Sequence, residues 1–191
     1  LPPRLAASSV LFTPDLPFDL AQAMLRASTW MSGHAKFFAL YDHADWRKLR
    51  LSGQGFSLCG PLGEVHDGSN KTDTPYGLTG FLSLPALRRK NEGGILQAMM
   101  VQLGLLYGGA AGNPAKVFYR DWAKESFTAT EYDQRSAHNH PEFLPPGGKK
   151  SFWDGCVHFA GTETADEFGG YLEGALASGA RAAKAVACRN C

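Results

Sequence analysis

Hydrophobic and polar positions follow two spacings along the chain. "HAKFFALYDH" (His34 to His43) is rich in strand formers and roughly alternates, which predicts a β-strand. "LSGQGFSLCGPLGEVHDGSN" predicts two strands broken at Gly60-Pro61. "YGLTGFLSL" (Tyr76 to Leu84) and "AKVFYRDW" predict two more, and "CVHFAG" (Cys156 to Gly161) predicts a short buried strand ending at a glycine. Helical spacing appears in three places. Asp19 to Ala27 can form a short amphipathic helix. Ile95, Met99, Leu103 and Leu106 keep one face after Gly93-Gly94, predicting a helix over Gly94 to Tyr107. Gly170 to Ala187 predicts the last helix. "SSVLFTPDLP" is a short apolar run punctuated by Pro14 and Pro17. Antiparallel-looking strands with helices come first, then strand–turn–helix. That order predicts an α+β part followed by a piece of an α/β nucleotide-binding fold.

Composition narrows the function classes. The 191 residues suffice for one large domain or two small ones, and 44% apolar with 19% charged residues is an ordinary globular balance. A net charge of +1 gives no electrostatic ground for nucleic acid or an anionic membrane as partner. No apolar run reaches the roughly 18–20 residues of a membrane span. The chain shows no initiator Met and no leader pattern, and "LPPRLAASS" reads as an interior segment of a longer protein. A soluble, cytoplasmic protein is expected. Cys59, Cys156, Cys188 and Cys191 are too few and scattered for a disulfide framework. The terminal Cys188-x-x-Cys191 lacks the second ligand pair of a zinc site, so reduced thiols on a frayed tail are expected. His34, His66 and Glu64 lack ligand spacing, and no metal is expected.

"HFAGTETADEFGGYLEGALASGARAA" (His158 to Ala183) is the segment richest in chemical implication. A strand, a glycine, a polar turn and a helix start leave backbone N–H groups free to meet an anion or a carbonyl. Gly169 and Gly170 permit positive φ. Ala175, Ser178, Gly179 and Ala182 make a small helix face. Gly174 and Gly179 each cost a helix about 1 kcal/mol relative to Ala, so something local should offset that loss. Close packing of the helix and close approach of a ligand both satisfy this requirement.

The same segment resembles the C-terminal signature of the flavin-containing amine oxidases, the monoamine and polyamine oxidase family. An apolar strand, A-G-T-E, an acidic or aromatic stretch, G-Y, a small-residue helix start and S-G-x-R-A-A are all present. "PPRLAASSVLFTPDLP" resembles the segment leaving the FAD domain. "STWMSGHAKFFALYDHADWRK", with its Trp46-Arg47 ending, resembles the substrate-domain strand. "SGQGFSLCGPLGEVHDGSN" and "YRDWAKESFTAT" also have counterparts, so the likeness covers nearly the whole chain. The family's N-terminal G-x-G-x-x-G unit, which holds the ADP half of FAD, is missing. The resemblance therefore implies the C-terminal portion of an oxidase: an engineered or proteolytic piece, or a subunit whose N-terminal half is another chain. It further implies a connection from the FAD domain over 1–9, an α+β substrate-binding domain with a mixed or antiparallel sheet over 10–118, and the C-terminal strand–turn–helix part of the FAD-binding α/β fold over 119–191.

Roles carry over position by position. Gly161, Thr162 and Glu163 would lie along the ribityl–pyrophosphate part of FAD. Gly170, Tyr171 and Leu172 would face the isoalloxazine ring, with Ala175 on the following turn. Tyr171 matches one wall of the family's aromatic cage, which orients the amine. Trp122 matches the tryptophan near the flavin, or is a core aromatic. His140, in "SAHNHPEF", stands where the second cage aromatic would fall. No cysteine lies there, so FAD would be non-covalent. Ser8 and Ser9 replace the lysine that usually follows P-P-x-L.

The resemblance implies oxidation of an amine to an imine by hydride transfer to flavin N5, with reoxidation by oxygen. Partners would be the amine, an N-terminal FAD-binding segment or subunit, and a second copy of the chain. Two alternatives stand beside it. An L-amino-acid oxidase would need an arginine for the substrate carboxylate, for which Arg120 and Arg135 are candidates. A non-catalytic flavoprotein-like binding module would need neither.

Overall fold

The computed structural model describes residues 1–71, 74–134 and 150–189. The chain divides into two compact units. One comprises 1–30, 126–130 and 138–191, and the other 31–125 and 131–137. Residues 10–30 cluster with the C-terminal segment, and 119–125 with the sheet.

The second unit is built on a five-stranded antiparallel sheet. Its strands are β1 (Ala35–Tyr41), β2 (Gly55–Phe56), β3 (Leu62–Asp67), β4 (Tyr76–Leu82) and β5 (Lys116–Asp121), in the order β2-β3-β4-β1-β5. β1 alternates cleanly, burying Ala35, Phe37, Ala39 and Tyr41 on one face. Those residues pack with Leu62, Val65, Leu78 and Leu82 against Ile95, Met99, Leu103 and Tyr107, which lie on a long helix. That helix runs Glu92–Tyr107, two residues earlier than its apolar spacing predicts, because Asn91 caps it by accepting the Gly94 N–H at 3.0 Å. In chain order it is α4, preceded by α1 (Pro3–Ser9), α2 (Phe18–Arg26) and α3 (Asp45–Lys48).

Two buried polar side chains hold this unit together. Gln102 accepts from the Leu62 N–H at 2.9 Å and donates to the Cys59 and Leu62 carbonyls, stapling α4 to the β2–β3 connection. Arg89 is 1% exposed and grips Asp121 through Nε at 3.1 Å and Nη2 at 2.9 Å. It also donates to the carbonyls of Leu84 and Gly33. The pair is fully desolvated but fully bonded, the condition under which a buried ion pair is tolerated.

The first unit holds α1 and α2, a two-stranded antiparallel ribbon of β6 (Ser151–Phe152) and β7 (Val157–His158), and α5 (Leu172–Arg189). Helix α1 is not evident from apolar spacing. Pro3 opens it at a position where no N–H is needed, and the buried Arg4 donates to the carbonyls of Leu25 (2.8 Å) and Arg26 (3.1 Å), satisfying the end of α2. The strand expected over Cys156 to Gly161 shrinks to the two half-buried residues of β7. Among the described residues, no helix is long and apolar enough to cross a membrane.

Candidate functional site

The turn between β7 and α5 is built by hydroxyls. Gly161 sits at φ 133 and donates its N–H to Ser178 Oγ at 3.0 Å. Thr164 Oγ1 donates to the Gly161 carbonyl at 3.0 Å and lies 2.7 Å from Ser178 Oγ. Arg181 Nη2 donates to the Phe159 carbonyl at 2.9 Å and to both hydroxyls at 3.2 Å. Ser178 and Thr164 are buried, so this network is a largely buried clasp fixing the glycine turn to the helix. On the other side, Thr162 Oγ1 accepts the Gly170 N–H at 2.6 Å and donates to the Tyr171 carbonyl at 2.9 Å. Phe168 (φ 54) and Gly170 (φ 87), rather than Gly169, take the left-handed conformation.

Helix α5 begins at Leu172, two residues later than expected, because Gly170 cannot be helical at that φ and the Tyr171 N–H closes a turn onto Phe168 at 3.1 Å. The first helical bond onto Tyr171 comes from Ala175, at 3.2 Å. The N–H groups of Leu172, Glu173 and Gly174 therefore have no backbone acceptor within the helix. Around these open donors stand exposed apolar side chains: Phe168, Tyr171 (61%), Leu172 (86%) and Leu176. A cavity of about 270 Å³ beside them is lined by Ala165, Asp166, Phe168, Glu173 and Arg181. Lys150 hydrogen-bonds Asp166 and holds its carboxyl below the usual range.

The two helix glycines differ. A Cβ on Gly174 would collide with the Phe168 carbonyl oxygen and lie 2.8 Å from its carbon, whereas a Cβ on Gly179 would meet nothing within 4 Å. At Gly174 the offset to helix propensity is close packing on the chain's own turn.

Gly161, Thr162, Glu163, Gly170, Tyr171, Leu172 and Ala175 thus come together on one turn and helix start. Trp122 lies in the other unit, just after β5, with Arg120 over its ring at 5.9 Å. His140 and Arg135 lie outside the described residues. Ser8 and Ser9 end α1, and Ser8 donates to the Leu5 carbonyl at 3.2 Å. Thr164, Ser178 and Arg181 tie the turn to the helix, whereas the sequence marks Ser178 only as part of a small helix face and gives Thr164 and Arg181 no role of their own. Their signal was the helical spacing of Ser178 and Arg181, which puts both on one face.

In the sheet unit, the Trp46-Arg47 pair sits on α3 and both side chains reach Asp67. Trp46 Nε1 donates at 3.0 Å and Arg47 Nε at 2.9 Å to one carboxylate oxygen, and the Ser69 N–H donates to the other at 2.9 Å. Burial pushes the carboxyl up, but the hydrogen bonds from Arg47, Ser69 and Trp46 outweigh it and hold it at about 2. His66 Nε2 lies 3.8 Å from Glu64, and no group of three potential metal ligands occurs among the described residues.

Known proteins resemble this chain along nearly its whole length. A protein of Mycobacterium tuberculosis assigned as the flavin-containing monoamine oxidase AofH is 32% identical over 94% of the chain, which covers 38% of that protein. An L-amino acid dehydrogenase of Synechocystis is 27% identical over 97% of the chain and 39% of its own length. Among solved structures, cyclohexylamine oxidase from Brevibacterium oxydans superposes with a TM-score of 0.76 at 27% identity, covering 99% of this chain and 42% of that one. A putrescine oxidase redesigned in its cofactor binding gives 0.74 at 26% identity, with the same coverage of both chains. The chain thus spans about two-fifths of the length of these relatives. The family model for flavin containing amine oxidoreductases matches residues 1–187, and the chain belongs to that family.

Proposed function

We propose that this chain supplies the substrate-facing sheet and one side of the flavin site of an FAD-dependent amine oxidase. A further segment or subunit would carry the dinucleotide-binding half. The observation that carries this reading is the start of α5, with three open N–H donors amid exposed Phe168, Tyr171, Leu172 and Leu176. Such a surface fits a planar heteroaromatic group with apolar faces and a polar edge. In a protein finished at that point, those side chains would be covered and the donors capped.

When bound, FAD supplies an acceptor for a hydride equivalent taken from the carbon beside the amine nitrogen, leaving an imine. The rest is done by the chain. The Leu172, Glu173 and Gly174 N–H groups, at the positive end of the helix, offer stabilisation to negative charge near the ring's carbonyl edge. Gly161, with Glu163 and Thr162, lines the ribityl–pyrophosphate portion. The Thr162 hydroxyl is occupied by Gly170 and Tyr171, so its part is to shape the turn. Tyr171 is assigned to a wall of the amine site, and the roles of His140 beside the amine and Trp122 near the flavin rest on the sequence resemblance alone. The absence of a cysteine around His140 supports non-covalent binding. Oxygen is the acceptor in this reading, with Ser8 and Ser9 in the lysine's place.

A second reading, oxidation of an α-amino acid, draws support from the likeness to the Synechocystis L-amino acid dehydrogenase. The test is to co-express the chain with its upstream coding sequence, look for oxidised-flavin absorbance, and add amines or amino acids anaerobically. Bleaching by an amine but not by its α-carboxylate analogue supports the first reading, and the reverse supports the second. A colourless protein would sink both and favour a non-catalytic binding module.

A further inference from the structure

Helix α4 is apolar nearly all the way round. Its sequence, EGGILQAMMVQLGLLY, carries a single charged residue, Glu92, at the first position. The sheet core takes only one side of it, burying Ile95, Met99, Leu103 and Tyr107. The opposite side of a helix packed on a core is ordinarily polar. Here it holds Val101 and Leu105, which stand 60% and 82% exposed.

That side of α4 forms one wall of a groove of about 590 Å³. The wall runs from Gly94 through Ala98 and Val101 to Leu105 at helical spacing, a length of roughly 17 Å. The β2–β3 connection supplies the other wall, with Cys59 and Pro61. Among the described residues, no charged side chain lines the groove. Gln102, buried in its lining, accepts the Leu62 N–H and donates to the Cys59 and Leu62 carbonyls. It therefore has no free hydrogen-bonding capacity with which to orient a small polar ligand. Leu58, whose neighbours Ser57 and Cys59 both line the groove, is itself fully exposed.

We propose that this face seats a second copy of the chain, α4 against α4 about a two-fold axis. A two-fold contact sets a surface against itself, so the surface needs both a projection and a recess, and no charge that would meet its like. All three features occur together here: the exposed Leu58, the groove beside it and the uncharged lining. Leu58 of each copy enters the groove of the other. The exposed apolar side chains of this face present on the order of 600 Å² per copy, the most a monomer ordinarily leaves open and near the roughly 800 Å² that a standard interface buries on each partner. Val101 lies near the middle of the wall, so in an antiparallel crossing it meets its own counterpart. The dinucleotide-binding half is assigned to the start of α5, in the other unit, and the contact stands independently of flavin binding.

The test is sedimentation velocity of the chain co-expressed with its upstream coding sequence, over about 1–100 µM. A dimer is expected. Val101→Glu and Val101→Lys change an exposed position, so each should keep the parent's circular dichroism while raising the dimer dissociation constant about 100-fold or more. Mixed in equal parts, the two variants should recover a dimer, because opposite charges then face each other across the axis. Cys59 should react with a maleimide more slowly in the parent than in either variant alone, with the exposed Cys156 and Cys188 as unchanged references. Leu105→Glu repeats the test if a Val101 variant fails to fold. A parent that stays monomeric, a dimer that survives Val101→Glu, or a mixture that stays monomeric would each overturn the proposal. A monomeric parent with Cys59 protected would assign the groove to an upstream segment. Vesicle binding by a monomeric parent, lost in Val101→Glu, would assign the face to a lipid surface, and both results overturn it. A colourless dimer would sink the oxidase reading and leave this contact intact.

Discussion

Gly174 and Gly179 lie on the same helix and make a matched pair for experiment. Replacing either by Ala gains about 1 kcal/mol of helix propensity and restricts the unfolded chain. At Gly179 nothing opposes the gain, since the new Cβ would have no neighbour within 4 Å and φ is ordinary. At Gly174 the Cβ would meet the Phe168 carbonyl and lie 3.1 Å from Ala165 Cβ. That carbonyl accepts the Tyr171 N–H, and the next residues are tied through Gly170 to Thr162, so the turn cannot easily withdraw. Overpacking of this kind costs about 1–3 kcal/mol, and here it falls on backbone. Gly179→Ala is therefore expected to stabilise α5 by about 1 kcal/mol. Gly174→Ala should forfeit that gain and destabilise α5 by up to about 2 kcal/mol once the propensity gain is deducted. The chain divides into two compact units, so the readout should be local: amide hydrogen exchange across α5, compared between variants. Equal protection in the two variants would refute the claim that Gly174 is required by its own turn.

Other expectations follow from buried charge. Asp67→Asn should cost about 1–2 kcal/mol, because the buried Trp46 indole N–H and the Arg47 guanidinium lose a charged acceptor while partial exposure moderates the loss. The folded carboxyl is depressed to about 2, so its contribution is complete above the ordinary carboxylate range and disappears as pH falls through about 2. Urea titrations of the parent and the Asn variant should thus converge on acidification. A constant gap down to pH 2 would count against the assignment. Arg89→Leu should cost about 3–5 kcal/mol by leaving Asp121 buried without its ion partner. A loss under about 1 kcal/mol in chemical unfolding would show that Asp121 is compensated by Lys124, 3.8 Å away.

The sequence by itself determined the elements whose cause is local. β1, β4, β5 and the body of α4 follow from residue periodicity, since alternating or helical burial needs only a core on one side. Family membership was also legible, because the segment from His158 to Ala183 keeps its residue types at close spacing. Misplaced boundaries had local causes that spacing does not register, the Asn91 cap and the positive φ of Gly170, and the unpredicted α1 is opened by Pro3. Tertiary structure alone decided which distant side chains meet. Arg89 finds Asp121 32 residues away, and Ser178 reaches back 17 residues to the Gly161 N–H. Lys36 comes to stand opposite Arg120 only through the β1–β5 register. Register depends on packing of the whole buried face, because a shift of one residue would turn every side chain to the opposite side. Periodicity can therefore mark Lys36 as outward-facing, but it cannot tell which charge the folded sheet sets against it.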